Sequence, residues 1–438
     1  MDRSDGLILA MDVGSSSIKA ALVDARGFVR RSYRTDVPMH VRDARKELPP
    51  DRLWDAVAGA ARRLTVGADG ARLPDADKVA AISVVCQMAG LVLLDGDMRP
   101  VRDAIPGVDN RAAGMAAEIA GLVRESAAGI RLRTGCPPED FYPAVKWLWL
   151  RRHEPDVVRR TRYAGTLKDE LLRRLTGRWI TDPASASSTG WYDQREKRWW
   201  PRMLEALGLD DGMLPEIVPP RAIAGTLTGE AADRLGLPAG LPVAAGSGDG
   251  PAASLSAGAI GQAPLCLSLG TTAVARLAVR QHGLPQGPYF QQHFDDGWYF
   301  QGIRLAEAGS RIGPLLGEAA NGRGRERVRE TMAELSLALH NGMRPLLDRE
   351  PVREIRATGG GTANAEWMRM LADLFGVPVA IPENADGTLG AAIIGAVALG
   401  WHAGWEDACR SMARTARRFE PGGRGNGRPA GRPDMEQR

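Results

Sequence analysis

The chain has 438 residues, 44% of them apolar and 25% charged, and 57 Lys and Arg against 53 Asp and Glu give a net charge of +4. This balance excludes a disordered chain. The four cysteines (Cys86, Cys136, Cys266, Cys409) stand far apart with no CxxC pair, which excludes a disulfide scaffold. At about 150 residues per domain the length predicts two or three domains with large cores, and no apolar run reaches the roughly 18 residues of a membrane span.

The charge is uneven. Arg410 to Arg438 holds eight Arg against Glu420, Asp434 and Glu436, a surplus of 8 − 3 = +5, so the rest of the chain carries 4 − 5 = −1. The basicity belongs to a tail and makes no case for a nucleic-acid partner. The first residues, Met1 to Asp5, lead straight into a strand-like run with no secretory pattern, so a cytoplasmic location is expected.

The first predicted element is a strand from Leu7, which enters the turn Gly14-Ser15-Ser16 and leaves as a second strand in which Ile18, Ala20 and Leu22 alternate. Asp12 ends the first strand, beside that turn. Helices are predicted over Leu53–Leu64, Arg111–Val123, Val145–Leu150 and Asp169–Leu175, and strands over Val79–Val85 and Leu91–Leu94. Gly and Pro cluster at Pro242–Gly250, around Gly246-Ser-Gly-Asp249-Gly. Next, Leu265, Leu267 and Leu269 alternate into Gly270-Thr271-Thr272, and a strand follows to Val279. The two turns match at an offset of 270 − 14 = 256, so one strand-turn-strand unit repeats. A helix over Arg329–Leu339 is predicted, then a strand from Glu354, the loop Gly359-Gly360-Gly361 and a helix opened by Asn364. A strand Val377–Ile381 and a small-residue helix Leu389–Leu399 complete the order, which argues α/β domains. The Gly/Arg-rich stretch after Phe419 cannot pack and is expected to be disordered.

Each feature has an ordinary structural explanation. Hairpin turns containing Gly and Ser are common, and Asp12 or Asp249 could simply cap a turn. A matching pair of turns is more specific. Glycine admits an anion to the backbone, and successive amides with two hydroxyls can cradle phosphate oxygens. A strand follows each turn, so neither is a GxxxxGK[ST] loop. A carboxylate beside such a turn suits a phosphate-bound Mg²⁺, and Asp249, flanked by glycines, could accept a proton from an attacking hydroxyl.

With Phe141-Tyr-Pro143-Ala-Val-Lys146-Trp-Leu-Trp149 and Leu175-Thr-Gly177, these motifs resemble the FGGY family of carbohydrate kinases, from about Leu7 to about Phe419. The resemblance implies two actin-like (ribonuclease H-like) α/β domains with a central cleft. The expected division is an N-terminal sugar-binding domain over 1–244, a shortened C-terminal nucleotide-binding domain over 245–419, and the tail 420–438. It implies Asp249 as catalytic base and Asp12 near Mg²⁺. Gln87, Met88, Asp109, Arg111 and Tyr142 would contact the sugar. Gly14, Ser15, Ser16 and Lys19, Gly270, Thr271 and Thr272, and Gly359, Gly360, Gly361 and Asn364 would hold ATP. Three departures stand out. Ala89 replaces a family His, Val108 precedes Asp109 where relatives have Trp, and roughly 40–50 residues are missing between Ile303 and Gly342 by comparison with the family. The expected partners are ATP and a small sugar or sugar acid, gluconate before xylulose with Arg111 facing its carboxylate, and neither nucleic acid nor membrane. A homodimer is compatible with this reading. A non-catalytic sugar- or nucleotide-binding regulator is the alternative.

Overall fold

The computed structural model describes residues 5–42, 45–262, 264–306, 308–320 and 324–422. The tail from 423 onward, and 321–323 within the region expected to be shortened, lie outside the described residues.

Two large α/β units face each other. In the first, β1 (Leu7–Val13), β2 (Ser17–Asp24), β3 (Val29–Asp36), β4 (Val79–Cys86), β5 (Ile223–Thr226) and β6 (Pro242–Gly248) form a six-stranded sheet in the order β5-β6-β4-β1-β2-β3. In the second, β7 (Pro264–Leu269), β8 (Ala273–Val279), β9 (Phe290–Asp295), β10 (Trp298–Leu305), β11 (Glu354–Thr358), β12 (Val379–Pro382) and β13 (Thr415–Phe419) form a seven-stranded sheet in the order β9-β10-β8-β7-β11-β12-β13. The two share one plan. An antiparallel meander, β1-β2-β3 or β7-β8-β10, is followed by two strands parallel to its first member, β4-β6 or β11-β12. The strand-turn-strand repeat read in the sequence is the opening of each plan, although the second turn is one residue shorter. Val13 pairs with Ile18, whereas Leu269 pairs with Ala273.

The central strands are covered on both faces, which is why β1 reads as a continuous apolar run. Leu7, Leu9, Met11 and Val13 face one core with the helix α1 (Pro50–Thr65). Ile8 and Ala10 face a second core. Between strands β4 and β5 is inserted a mostly helical segment with its own aromatic core, centred on α2 (Pro143–His153) and its buried Trp147 and Trp149.

Two equivalent helices lie between the sheets. α3 (Asp249–Ala257) follows β6 directly, and α6 (Gly387–Ala398) follows β12. Both feed the core that Ile8 and Ala10 enter, with Leu255 from α3 and Leu389, Ile393 and Ile394 from α6. Each begins with an Asp-Gly pair, Asp249-Gly250 and Asp386-Gly387, so the repeat extends to the helix starts. The outer face of the second sheet packs on α4 (Arg325–Leu347) and α5 (Ala365–Phe375). The units also meet through β9. The His293 N–H donates to Ser187 Oγ at 3.2 Å, the Tyr192 hydroxyl bonds His293 Nδ1 at 2.8 Å, and Gln194 Nε2 donates to the Gln291 carbonyl at 2.9 Å.

Most predicted elements appear, with shifted ends. The helix expected from Arg111 starts only at Ala116, because Asp109 binds the Arg111 N–H and side chain and holds that stretch as turns. The helix expected over Arg329–Leu339 runs from Arg325 to Leu347. Strand β6 continues through Gly248, which pairs with Cys86. We therefore propose that the first domain ends after Gly248 and not at 244. All four cysteines are free and buried, and among the described residues no helix is long and apolar enough to cross a membrane.

Candidate active site

A cleft of about 760 Å³ opens where the two units meet, lined from the first by Ser15, Gln87, Met88 and Tyr142 and from the second by Arg276 and Gln292, with Asp249 and Gly250 in its wall. Asp249 begins α3 at the end of β6, a site whose free amides favour an anion. Its carboxylate opens to the cleft yet is ringed by protein. Burial raises its pKa above the ordinary value, while Arg276 and the N–H groups of Gly250 and Met88 pull it back.

Asp12 closes β1 across from Lys19 on β2, and the ammonium lies 3.5 Å from Asp12 Oδ2 and 2.9 Å from Asp386 Oδ2. Burial lifts the Asp12 carboxyl to about 6 against the attraction of Lys19, and Asp386 and Asp249 push in the same direction as burial. Gly387 is bare for a steric reason, since a Cβ there would collide with the Asp12 carboxylate. Sequence reasoning missed Asp386. Its other oxygen accepts from the Thr388 N–H at 3.0 Å, and Asp-Gly-Thr at a helix start reads simply as a cap.

The turn Gly14-Ser15-Ser16 stands beside this group, closed by Gly14 N–H to the Ser17 carbonyl at 3.0 Å, with Ser15 and Ser16 exposed. The turn Gly270-Thr271-Thr272 opens β8, and the Gly309 N–H donates to the Thr271 carbonyl at 2.9 Å. Gly359, at φ 87°, packs against Leu269 at the end of β7, which sets the Gly359-Gly360-Gly361 loop beside the second turn. Asn364 caps α5 by accepting the Trp367 N–H at 3.0 Å, so its side-chain oxygen has a structural task already.

The residues expected to contact the sugar divide. Gln87, Met88 and Tyr142 line the cleft, and Gln87 Nε2 donates to the Gly14 carbonyl at 3.0 Å, tying this wall to the first turn. Asp109 and Arg111 do not line it; their neighbours Val108 and Asn110 do. Asp109 is fully buried and accepts from Arg111 Nε at 2.7 Å and from the Lys46 N–H at 2.6 Å, while Arg111 also reaches Glu47 at 2.9 Å. Against burial, the Arg111 bonds hold Asp109 below the usual carboxylate range. We propose that this pair, expected to contact the sugar, instead braces the loop behind the wall, since the two charges are bonded to each other.

Lys146 has a matching task. It is fully buried on α2 and donates to the Ala89 carbonyl at 3.0 Å and the Pro106 carbonyl at 2.6 Å, joining two loops that line this wall of the cleft. Burial brings its pKa down to about 7. It also helps to hold Ala89, where φ is 61°, an uncommon value for a residue with a side chain. Lys146→Met is expected to cost about 2–4 kcal/mol, because two buried carbonyls lose their donor. Thermal unfolding would show this as a lower midpoint, together with a raised acceptor KM; an unchanged midpoint would refute the brace.

The family is decided by residues 7–256, which match the N-terminal domain of the FGGY family of carbohydrate kinases, and 325–399, which match its C-terminal domain. The chain belongs to the FGGY family. Among curated relatives it is 35% identical to a xylulose kinase of Streptomyces rubiginosus over 277 residues, 62% of this chain and 54% of that one. It is 31% identical to a xylulose kinase of Escherichia coli strain K12 over 269 residues, 61% of this chain and 53% of the other. The FGGY chain thus spans about half the length of these curated relatives. A gluconate kinase from Lactobacillus acidophilus has the same fold at 22% identity, with a TM-score of 0.86 over 95% of this chain and 94% of that one. The two FGGY matches leave 257–324 uncovered, a stretch that overlaps the region read as shortened.

Proposed function

We propose that this FGGY protein is an ATP-dependent kinase that phosphorylates a hydroxyl of a small sugar or sugar acid. The observation that carries the reading is Asp249, which starts a helix in the wall of a cleft that Ser15 of the first glycine-hydroxyl turn also lines. Asp249 accepts the acceptor's hydroxyl proton as that oxygen forms a bond to the γ-phosphorus, and the bond from γ-phosphorus to the bridging oxygen breaks, releasing ADP. Gly14, Ser15 and Ser16 with Lys19, and Gly270, Thr271 and Thr272, would steady the phosphates from the two sides. The Gly359–Gly361 loop would lie under the nucleoside.

The residues present fit Mg²⁺. Asp12 and Asp386 offer hard oxygen donors from two sides of Lys19. That suits an ion that takes one or two carboxylates and completes its shell with phosphate and water oxygens. When bound it would neutralise charge on the β- and γ-phosphates. Asp12, lifted to about 6 in its absence, is ionised near neutral pH and ready to meet a cation.

The acceptor's identity belongs to the proposal. Most named relatives are xylulose kinases, which does not favour gluconate over xylulose, and Arg111, expected to face the gluconate carboxylate, is paired with Asp109. ADP release by the purified chain over xylulose, ribulose, glycerol, erythritol and gluconate tests the reading. Turnover with any of them supports a kinase. Nucleotide binding by calorimetry with no turnover on any acceptor would instead indicate a binding regulator.

A further inference from the structure

Resting on the kinase reading, the cleft contains one feature that this reading leaves unused. Arg276 extends from β8 into the acceptor cleft beside Asp249. Its Nε is buried without a hydrogen-bond partner, and the guanidinium lies over the Phe290 ring, 5.8 Å from the centroid. The other arginine that lines the cleft is accounted for, since Arg304 reaches Glu139 at 2.9 Å. Across from Arg276, Gln292 on β9 directs its amide nitrogen to the Met88 sulfur at 3.3 Å, a weak acceptor, and its Oε1 is buried with no donor. The two groups converge. A Cβ added to Gly250 would fall 3.2 Å from Arg276 Nη2 and 3.3 Å from Gln292 Oε1, so the glycine after Asp249 leaves room for both.

The chemistry left unmet is specific. The guanidinium presents a donor fork that needs an acceptor with charge, and Gln292 Oε1 needs a hydroxyl to donate to it. A neutral sugar supplies only the second. Leaving the guanidinium unpaired in a cleft that closes on its ligand is unfavourable. Asp249 attracts the guanidinium through space but does not hydrogen-bond its Nε. A carboxylate fits the fork in bidentate fashion, and a hydroxyl on the carbon beside that carboxylate is placed to donate to Gln292. We propose that the acceptor is an α-hydroxy carboxylate of the aldonic-acid class, held at its acid end by Arg276 and Gln292. A phosphoryl oxygen could also satisfy a guanidinium. The carboxylate is favoured because Arg276 shares its wall with the acceptor residues Gln87, Met88 and Tyr142, whereas Gly270, Thr271 and Thr272 do not line this cleft.

The test compares D-gluconate with the neutral six-carbon alditol glucitol and with xylulose, in wild type, Arg276→Gln and Arg276→Lys, by ADP release and by calorimetric binding. Wild type is expected to favour gluconate over glucitol by about 100-fold or more in kcat/KM. Arg276→Gln should lose about 10²–10³-fold with gluconate, mainly through KM, and at least 30-fold less with xylulose. Arg276→Lys should recover part of the loss. Matching melting curves establish that the variants fold. Preference of the wild type for the neutral acceptors overturns the proposal. So does an equal fall in kcat for acid and neutral acceptors, which would assign the guanidinium to the phosphoryl group or to Asp249. Should no acceptor turn over, the kinase reading fails separately, and binding decides this one: gluconate bound by wild type and lost in Arg276→Gln supports it, and no gluconate binding refutes it.

Discussion

Asp249→Asn is expected to lower kcat by about 10³-fold, within the range of 10²–10⁴ that a positioned base contributes, while ATP binding changes little. Asparagine keeps the shape of the side chain, and its oxygen can still accept from the Gly250 and Met88 N–H groups that now hold the carboxylate. What it cannot do is take a proton, so the attacking hydroxyl must lose its proton unaided. The variant therefore separates proton acceptance from architecture, which deletion of the side chain would not. Single-turnover transfer to the best acceptor measures it, with calorimetry for ATP. A wild-type rate would show that Asp249 is not the base. The pH dependence has a definite sign. Burial raises Asp249 above the ordinary 3.8 of an aspartate, and a base works only when deprotonated. The acid limb of kcat/KM should lie above that value and be absent from the residual rate of the variant.

Asp12→Asn is expected to act in opposite directions on activity and on stability. Activity should fall by at least about 10²-fold, because the carboxylate beside the first phosphate turn is lost. Stability without ligands should rise. Asp12 titrates near 6 in the fold and near 3.8 in an unfolded chain. As pH rises from about 4 to 6 the unfolded chain ionises first, so the folded state loses stability across this window, and the full penalty holds above it. That penalty is on the order of 1–3 kcal/mol. Asparagine does not carry it, and Lys19 keeps Asp386 as its partner at 2.9 Å. The melting midpoint at pH 7.5 should rise by about 1–4 °C, and the gain should shrink toward pH 4.5. A fall in the midpoint at pH 7.5 would mean that the Asp12–Lys19 pair is a net support and that burial is not the dominant effect.

The two variants touch residues that were legible in the sequence, and the reason is local. Asp12 and Asp249 sit where short motifs dictate their setting: a strand running into Gly-Ser-Ser, and an acid between glycines at a strand end. The repeated hairpins and the Gln87-Met88 wall are readable for the same reason. Asp109 and Arg111 show where this stops. Asp-x-Arg says that the two can pair, but not which way the loop faces. Lys46 and Glu47, about 60 residues earlier, close around them and turn them from the cleft. Arg276 is the converse. In an alternating strand a single arginine reads as a residue facing solvent, and only the crossing of β8 over the cleft, with the gap at Gly250, places it in the cleft wall beside Asp249. Asp386 is hidden in the same way, as an ordinary helix cap until α6 packs between the sheets and brings it to Lys19.

The sequence alone, then, determined the two-fold repeated α/β plan, the glycine-hydroxyl turns and the acids beside them, because strand alternation and turn chemistry act within a few residues. The tertiary structure decided which charges are spent on each other and which remain free in the cleft, because pairing and burial depend on neighbours that come from distant parts of the chain.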